Sequence, residues 1–133
     1  MPLASITRLR VRSIRYTPGF LWPTLGSVRH ARSSDGCLFA DVRREAKLVF
    51  WTRTLWHDEQ SMRAFMMSGA HRGAMPKLLD WCDEASLTHW QQDGDTPPDW
   101  PTAESKMRTQ GRTSRVRHPS PAHARGETVP SPA

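Results

Sequence analysis

Along residues 4–12 polar and apolar side chains alternate, with Ile6, Arg8, Arg10 and Arg12 on one side and Ser5, Thr7, Leu9 and Val11 on the other. A period of two specifies a strand. Thr17 followed by Pro18 forms a helix-start signal, and Leu21, Leu25 and Val28 recur at helical spacing until Ser33-Ser34-Asp35-Gly36 ends the run. Pro23 falls inside this helix and removes a backbone donor, which predicts a kink or a delayed start. Residues 37–42 and 47–56 are two extended runs separated by Arg43-Arg44-Glu45-Ala46, a hairpin pattern. The second run is the most β-prone of the chain and is expected at the sheet centre.

Asp58 is placed to cap a second helix that buries Met62, Phe65 and Met66, at spacings of three and four. Ser68-Gly69-Ala70-His71 interrupts it, and the pattern resumes with Met75, Leu78, Leu79 and Cys82. That predicts two helical pieces meeting at Gly69, or one helix with a break there. Residues 84–92 alternate again, with Leu87, His89 and Gln91 opposite Ser86, Thr88 and Trp90. The order βαββαβ specifies an α+β fold of the ferredoxin-like kind, a four-stranded antiparallel sheet with both helices on one face. The other face then needs a cover.

From Asp93 onward apolar periodicity fades and Pro, Ser, Thr, Arg and Gly dominate. The expected organisation is a folded domain over residues 1–100 and a disordered basic tail over 101–133, with Trp100 anchoring the junction. Charge follows the same division. Residues 1–100 hold 13 basic and 11 acidic side chains, whereas residues 101–133 hold 6 and 2. The basicity is concentrated in the tail, so the folded part lacks the basic, aromatic-laced face that nucleic-acid binding requires. Nucleic acid is not an expected partner.

Cys37 and Cys82 are distant in sequence and form no CxxC pair, which suits two small buried thiols in a reducing compartment. The N-terminal residues lack a continuous apolar stretch, so neither a signal peptide nor a membrane span is expected, and the cytoplasm is the expected location. The six histidines show no ligand spacing, so no metal site is expected.

Two segments carry a family resemblance, WTRTLWHDEQSMRAFMMSGAHRGAM at 51–75 and DEASLTHWQQ at 83–92. They combine an aromatic-Thr-x-Thr-x-Trp strand, an acidic helix start, Met-x-x-Phe, a Ser-x-x-His break and a closing His-Trp strand. Over residues 3 to 100 the chain resembles a bacterial family of unknown function that is similar to the antibiotic biosynthesis monooxygenase group, in the dimeric α+β barrel superfamily. It also resembles spheroidene monooxygenase and the small haem-degrading monooxygenases. The resemblance implies a homodimer in which a twin copy covers the open sheet face. It further implies a small-molecule ligand between sheet and helices, and a monooxygenase-like, cofactor-independent oxidation of an apolar or phenolic substrate. The alternative is a non-catalytic ligand-binding or structural dimer domain.

On that reading His71 is the candidate catalytic residue, with Thr52, Arg53, Thr54, Trp56, Ser68, His89 and Trp90 as candidate substrate-binding residues. An imidazole at a helix break suits proton transfer or hydrogen bonding to a substrate oxygen. Arg53 would be costly inside a core without a carboxylate, so it must meet either an acid or an anionic ligand. No cofactor is expected. Haem ligation by His71 is the lesser alternative, and the chain contains no asparagine to match the one that haem-degrading relatives use.

Overall fold

The computed structural model describes residues 1–46 and 48–130, with the side chains at 17, 20–24, 69–72, 74 and 75 outside that description. Strand β1 (Leu3–Val11) leads through a 3-10 turn (Ile14–Tyr16) into α1 (Thr17–Arg32). The hairpin β2 (Cys37–Ala46) and β3 (Val49–Trp56) follows, then α2 (Glu59–Met66), α3 (Gly69–Trp81) and β4 (Cys82–Gln91). The remaining elements are α4 (Trp100–Gln110), β5 (Arg112–Thr113) and α5 (Pro121–Ala124).

The strands form one sheet in the order β2-β3-β1-β4-β5, and every neighbouring pair is antiparallel. The first four strands have the expected ferredoxin-like arrangement. The fifth is a short addition, pairing Ser86 with Thr113 and Leu87 with Arg112 at the edge of β4.

Local chemistry fixes the element ends. The Asp58 carboxylate accepts from the Ser61 backbone N–H at 2.8 Å and starts α2, as its position implied. Helix α2 stops at Met66 and α3 begins at Gly69, so the interruption around Ser68 separates two helices. At α1, Tyr16 occupies the N-cap position, and the preceding 3-10 turn runs directly into the helix in place of a side-chain cap. The helix continues through position 23 to Arg32.

Alternation along the strands sorts the core into two layers. Toward α1, α2 and α3, one cluster joins Leu3, Ala40 and Trp56 to Val28, Ala31 and Met62. A second joins Leu9, Val11, Phe50, Cys82 and Ala85, with Leu78 and Trp81 of α3 against it. On the opposite face Ile6, Val49 and Trp51 pack against Ala103 and Met107 of α4, with Trp90, Trp100 and Val129 around them.

That second layer corrects the expectation of a disordered tail. Residues 100–130 are folded onto the domain because the sheet offers them the apolar surface that they cannot build themselves. Helix α4 begins at Asp99, whose carboxylate accepts from the Thr102 N–H at 2.8 Å, and buries Ala103 and Met107. At its end, a Cβ on Gly111 would collide with the Met107 carbonyl, so only glycine lets the chain turn there. The segment then runs along β4 with Val116 buried, donating Ser114 N–H to the Ala85 carbonyl and Arg117 N–H to the Leu79 carbonyl.

A polar network completes this closure. Arg8, buried on β1, donates to Glu84 at 2.8 Å, and the Ser120 hydroxyl donates to the other oxygen of the same carboxylate at 2.7 Å. Ser86 donates to the Thr128 carbonyl, and the Thr128 hydroxyl donates to the Met107 carbonyl. The face for which a twin copy was the expected cover is therefore occupied by the chain's own C-terminal residues.

Candidate functional site

Between the two helix-side clusters, the sheet changes character. Ser5 on β1 lies opposite Thr54 on β3 and His89 on β4, and Thr7 lies opposite Thr52 and Leu87. Directly paired residues of antiparallel strands share a face. These six side chains therefore form a floor, polar except for Leu87, flanked by Leu3 and Trp56 at one end and Leu9 and Phe50 at the other. Four of them, Ser5, Thr7, Thr52 and Thr54, are only half-buried, and His89 is exposed. A fully packed core would not leave hydroxyls there, because buried polar groups cost free energy unless paired.

The helices α1 and α3 pack against each other over this side of the sheet. Trp56 forms the hard end of the floor. It is fully buried, its indole N–H donates to the Thr54 hydroxyl at 2.8 Å, and its ring meets Phe65 of α2 at 5.3 Å between centroids. Thr54 is thus oriented by Trp56 and still has lone pairs to offer a ligand.

The candidate residues read from the sequence separate into three places. Thr52, Thr54, Trp56 and His89 come together on the floor. Ser68 stands apart, between α2 and α3, where it lines a groove with His30, Ser61 and Phe65. Arg53 and Trp90 belong to the opposite face, under the C-terminal layer. His71 is in the first turns of α3, and its side chain lies outside the described residues.

For Arg53 the acid is the answer. Its guanidinium holds Asp41 through two parallel bonds of 2.9 Å, donates to the Pro98 carbonyl at 2.7 Å, and stacks 4.4 Å from the Trp100 ring centre. Trp90 packs beside the α4 cluster, with the Lys106 ammonium 5.4 Å from its ring centre. Both are structural residues of the closure, and alternation put them there: positions 53 and 90 share a face with Trp51 and Ser86.

Ser5 and Thr7 are the floor residues that sequence reading missed. The signal was present, since two hydroxyls interrupt the face that otherwise carries Leu9 and Val11. His89 and Leu87 also line a shallow hollow of about 190 Å³ at the edge of β4, together with Gln110 and Arg112.

Among solved structures, a conserved protein from Methanosarcina mazei superposes with a TM-score of 0.64 at 16% identity, over 70% of this chain and 94% of its own. SnoaB, a cofactor-independent oxygenase from Streptomyces nogalater, gives 0.61 at 12%, over 74% and 98%. A Nitrosomonas europaea protein assigned as an antibiotic biosynthesis monooxygenase gives 0.63 at 13%, over 69% and 90%. At these identities the likeness is one of fold. Each relative is covered almost end to end, whereas more than a quarter of this chain extends beyond the shared part. No curated protein is significantly similar in sequence. A family model described as a domain of unknown function, DUF3291, matches residues 10–119.

Proposed function

The chain belongs to the DUF3291 family, and from that premise we propose that it binds a small, mostly apolar molecule between sheet and helices and oxygenates it without a cofactor. The observation that carries this reading is the hydroxyl-bearing floor of Ser5, Thr7, Thr52, Thr54 and His89, set between two apolar clusters. Apolar walls with a few convergent hydrogen-bonding groups are the usual make-up of a small-molecule site. The fold is shared with a cofactor-independent oxygenase and with monooxygenase-like proteins, which supports the reaction class.

In such a reaction the substrate supplies the electrons. A methylene carbon activated by an adjacent carbonyl or phenolic ring loses a proton, and its carbanion reduces dioxygen to give a peroxide at that carbon. Loss of water then leaves a carbonyl, so one CH₂ and one O₂ become one C=O and one H₂O. The protein must accept the first proton, stabilise the enolate oxygen with hydrogen bonds, and keep bulk water away. Hydroxyl donors at Thr52 and Thr54 suit the enolate. His71, carried by α3, is our proposed acid–base residue, and His89 is the proposed polar contact at the far end of the floor.

A non-catalytic binding role is the second reading, favoured by the composition of the floor. Threonine and serine hydroxyls hydrogen-bond well but serve as neither acid nor base near neutral pH unless another group activates them. Oxygen uptake with anthrone-type phenolic probes separates the two. For the enzyme, uptake is substrate-dependent, falls at least a hundredfold in His71→Ala, and falls with Thr52→Val plus Thr54→Val while the fold is kept. Binding of the probe without uptake, in the wild-type protein, supports the second reading instead.

A further inference from the structure

We propose that Arg12, Arg15 and Tyr16, where β1 gives way to α1, form a separate binding site for the phosphate group of a small-molecule phosphate monoester. The Nη2 atoms of Arg12 and Arg15 both donate to the Tyr16 hydroxyl oxygen, at 2.9 and 2.7 Å, and the two guanidiniums lie 4.5 and 4.9 Å from the centre of its ring. The two Nη2 atoms are therefore within about 6 Å of each other, where like charges repel.

Nothing negative answers them. Neither guanidinium makes an ion pair among the described residues, whereas Arg8, Arg10, Arg43, Arg53, Arg63 and Arg125 each meet a carboxylate. Asp80 gives Arg12 its backbone carbonyl at 2.8 Å, but its carboxylate faces His118 at 3.5 Å. The pair also stands at the start of α1, whose first turn holds no acidic residue. Cations at the positive end of a helix are unfavourable, so both repulsions act at one place and a bound anion relieves them together.

Helix capping alone does not account for the cluster. Arg12 is held by the end of α3, its Nε donating to the Asp80 carbonyl and its backbone N–H to the Trp81 carbonyl, each at 2.8 Å. The Tyr16 ring is stacked with Trp81, 6.5 Å between centres, and Gly19 brings the first turn of α1 so near the same indole that a Cβ would stand 3.3 Å from it. Arg12 and Tyr16 are thus half-buried and fixed in place. Capping needs only Arg12. Arg15 is exposed and free to extend into water, yet it turns onto the phenol already bonded to Arg12.

The uncommitted groups define the ligand. Arg12 has used two of its five N–H donors and Arg15 one, and the Tyr16 hydroxyl, which accepts two bonds, keeps its own proton to donate. The three side chains therefore offer donors and almost no acceptor. A phosphate monoester carries a charge of about −1.5 to −2 near neutral pH and three terminal oxygens that accept. It matches two guanidiniums better than a carboxylate, with one charge and two oxygens. The exposure of Arg15 leaves the remainder of the ligand in solvent, which suits a small molecule held by its phosphate end.

Tyr16 and Trp81 pack against the cluster of Leu9 and Phe50, beyond the end of the Thr52–Thr54 floor, so the site does not depend on the oxygenase reading. The test is a two-dimensional NMR titration of the full chain with phenyl phosphate at pH 8 and low salt, following backbone amides and arginine Nε–H signals. Saturable shifts are expected at Arg12, Arg15, Tyr16 and Trp81, with the amides of Thr52 and Thr54 unmoved. Inorganic phosphate should displace the probe from the same signals. Arg15→Gln, a change at an exposed position, should weaken binding about tenfold, and Tyr16→Phe should weaken it less, with the native spectrum kept in both. Arg108→Gln, on α4, should leave the affinity unchanged. Phenyl sulfate and benzoate, each a monoanion, should bind at least about fivefold more weakly. Non-saturating shifts, equal losses from Arg15→Gln and Arg108→Gln, or benzoate binding as tightly as phenyl phosphate would each overturn the proposal. Capture by phosphatidic acid vesicles without any response to phenyl phosphate would do so too, because it would assign the arginines to a lipid surface.

Discussion

Arg53 grips Asp41 across neighbouring strands through two parallel hydrogen bonds, Nε to Oδ1 and Nη2 to Oδ2, each 2.9 Å. The pair sits where the C-terminal layer begins. The face of Arg53 carries Trp100, and the same indole is stacked 4.5 Å from the Arg43 guanidinium on its neighbour strand. One planar cation held by an acid on one side and an aromatic ring on the other makes a clasp that lysine cannot reproduce.

Arg53→Lys is therefore expected to destabilise the protein by about 1–2 kcal/mol, discounted for the partial exposure of the pair, and Trp100→Ala by about 3 kcal/mol. The two effects should not add. In a double-mutant cycle by urea unfolding, a coupling of at least about 0.5 kcal/mol is expected. Strict additivity would show that the stacking is geometric only.

Removing the layer should expose what it hides. A chain ending at Pro98 leaves Ile6, Val49 and Trp51 without Ala103 and Met107 above them, a contiguous apolar surface of the sort that drives association. Sedimentation should show the truncated chain self-associating under conditions where the full chain does not. Met107→Ala, within the full chain, is expected to cost about 2–5 kcal/mol, since that side chain is fully buried. A truncated chain that stays monomeric and equally stable would mean that the layer is not a cover.

The sequence shows the first four strands and the break between α2 and α3 plainly, because alternation, the Asp58 cap and the small residues at 68–70 are local signals. It hides α4 for a physical reason. Trp100, Ala103 and Met107 are three apolar positions in eleven residues, too few to indicate a buried helix until Ile6 and Trp51 supply the other half of the contact. A local clue did exist, since Asp99-Trp100-Pro101 is a cap followed by an early proline. The segment after α4 is legible only in three dimensions, because most of its attachments are polar: Ser120 to Glu84, Thr128 to Ser86 and Met107. Within the floor, Thr52, Thr54 and His89 follow from alternation alone. Arg53 and Trp90, which the family resemblance groups with them, fall on the other side by strand parity.

The two cysteines should differ in reactivity. Burial, with the adjacent Asp83 charge, pushes the Cys82 thiol up to about 12, so almost no thiolate exists near neutral pH. Burial also raises Cys37, in spite of a backbone hydrogen bond from Phe39 and the Arg32 charge nearby, but its side chain is only partly covered. Iodoacetamide at pH 8 is expected to label Cys37 slowly in the native protein and Cys82 only after unfolding. Mass spectrometry of digested samples decides it, and native labelling of Cys82 at the rate of Cys37 would contradict the burial of β4's first residue.

Acid should undo the C-terminal layer before the rest. Burial alone would raise the Glu84 carboxyl, but hydrogen bonds from Arg8 and Ser120, with the Arg8 and Arg10 charges, outweigh it and hold the group below the usual glutamate range. A lowered folded-state value means that stability is fully present above the unfolded value of about 4.3 and is lost as pH falls through the folded one. Asp83 runs the other way. Its burial, only partly offset by Arg10, raises it, so its protonation relieves a cost as pH falls. The urea midpoint should accordingly hold level or rise slightly between pH 7 and about 5, then drop steeply below about 4. Asp83→Asn should remove the shallow rise. Glu84→Gln, which leaves Arg8 buried without its counter-charge, should cost about 3 kcal/mol at pH 7 and flatten the acid limb. Amide exchange at Val116, Ser120 and His123 should accelerate at acid pH ahead of exchange in β1 and β3. Simultaneous loss across both groups would show that the layer and the sheet unfold as one unit, and a midpoint indifferent to pH below 4 would remove Glu84 as the tie between them.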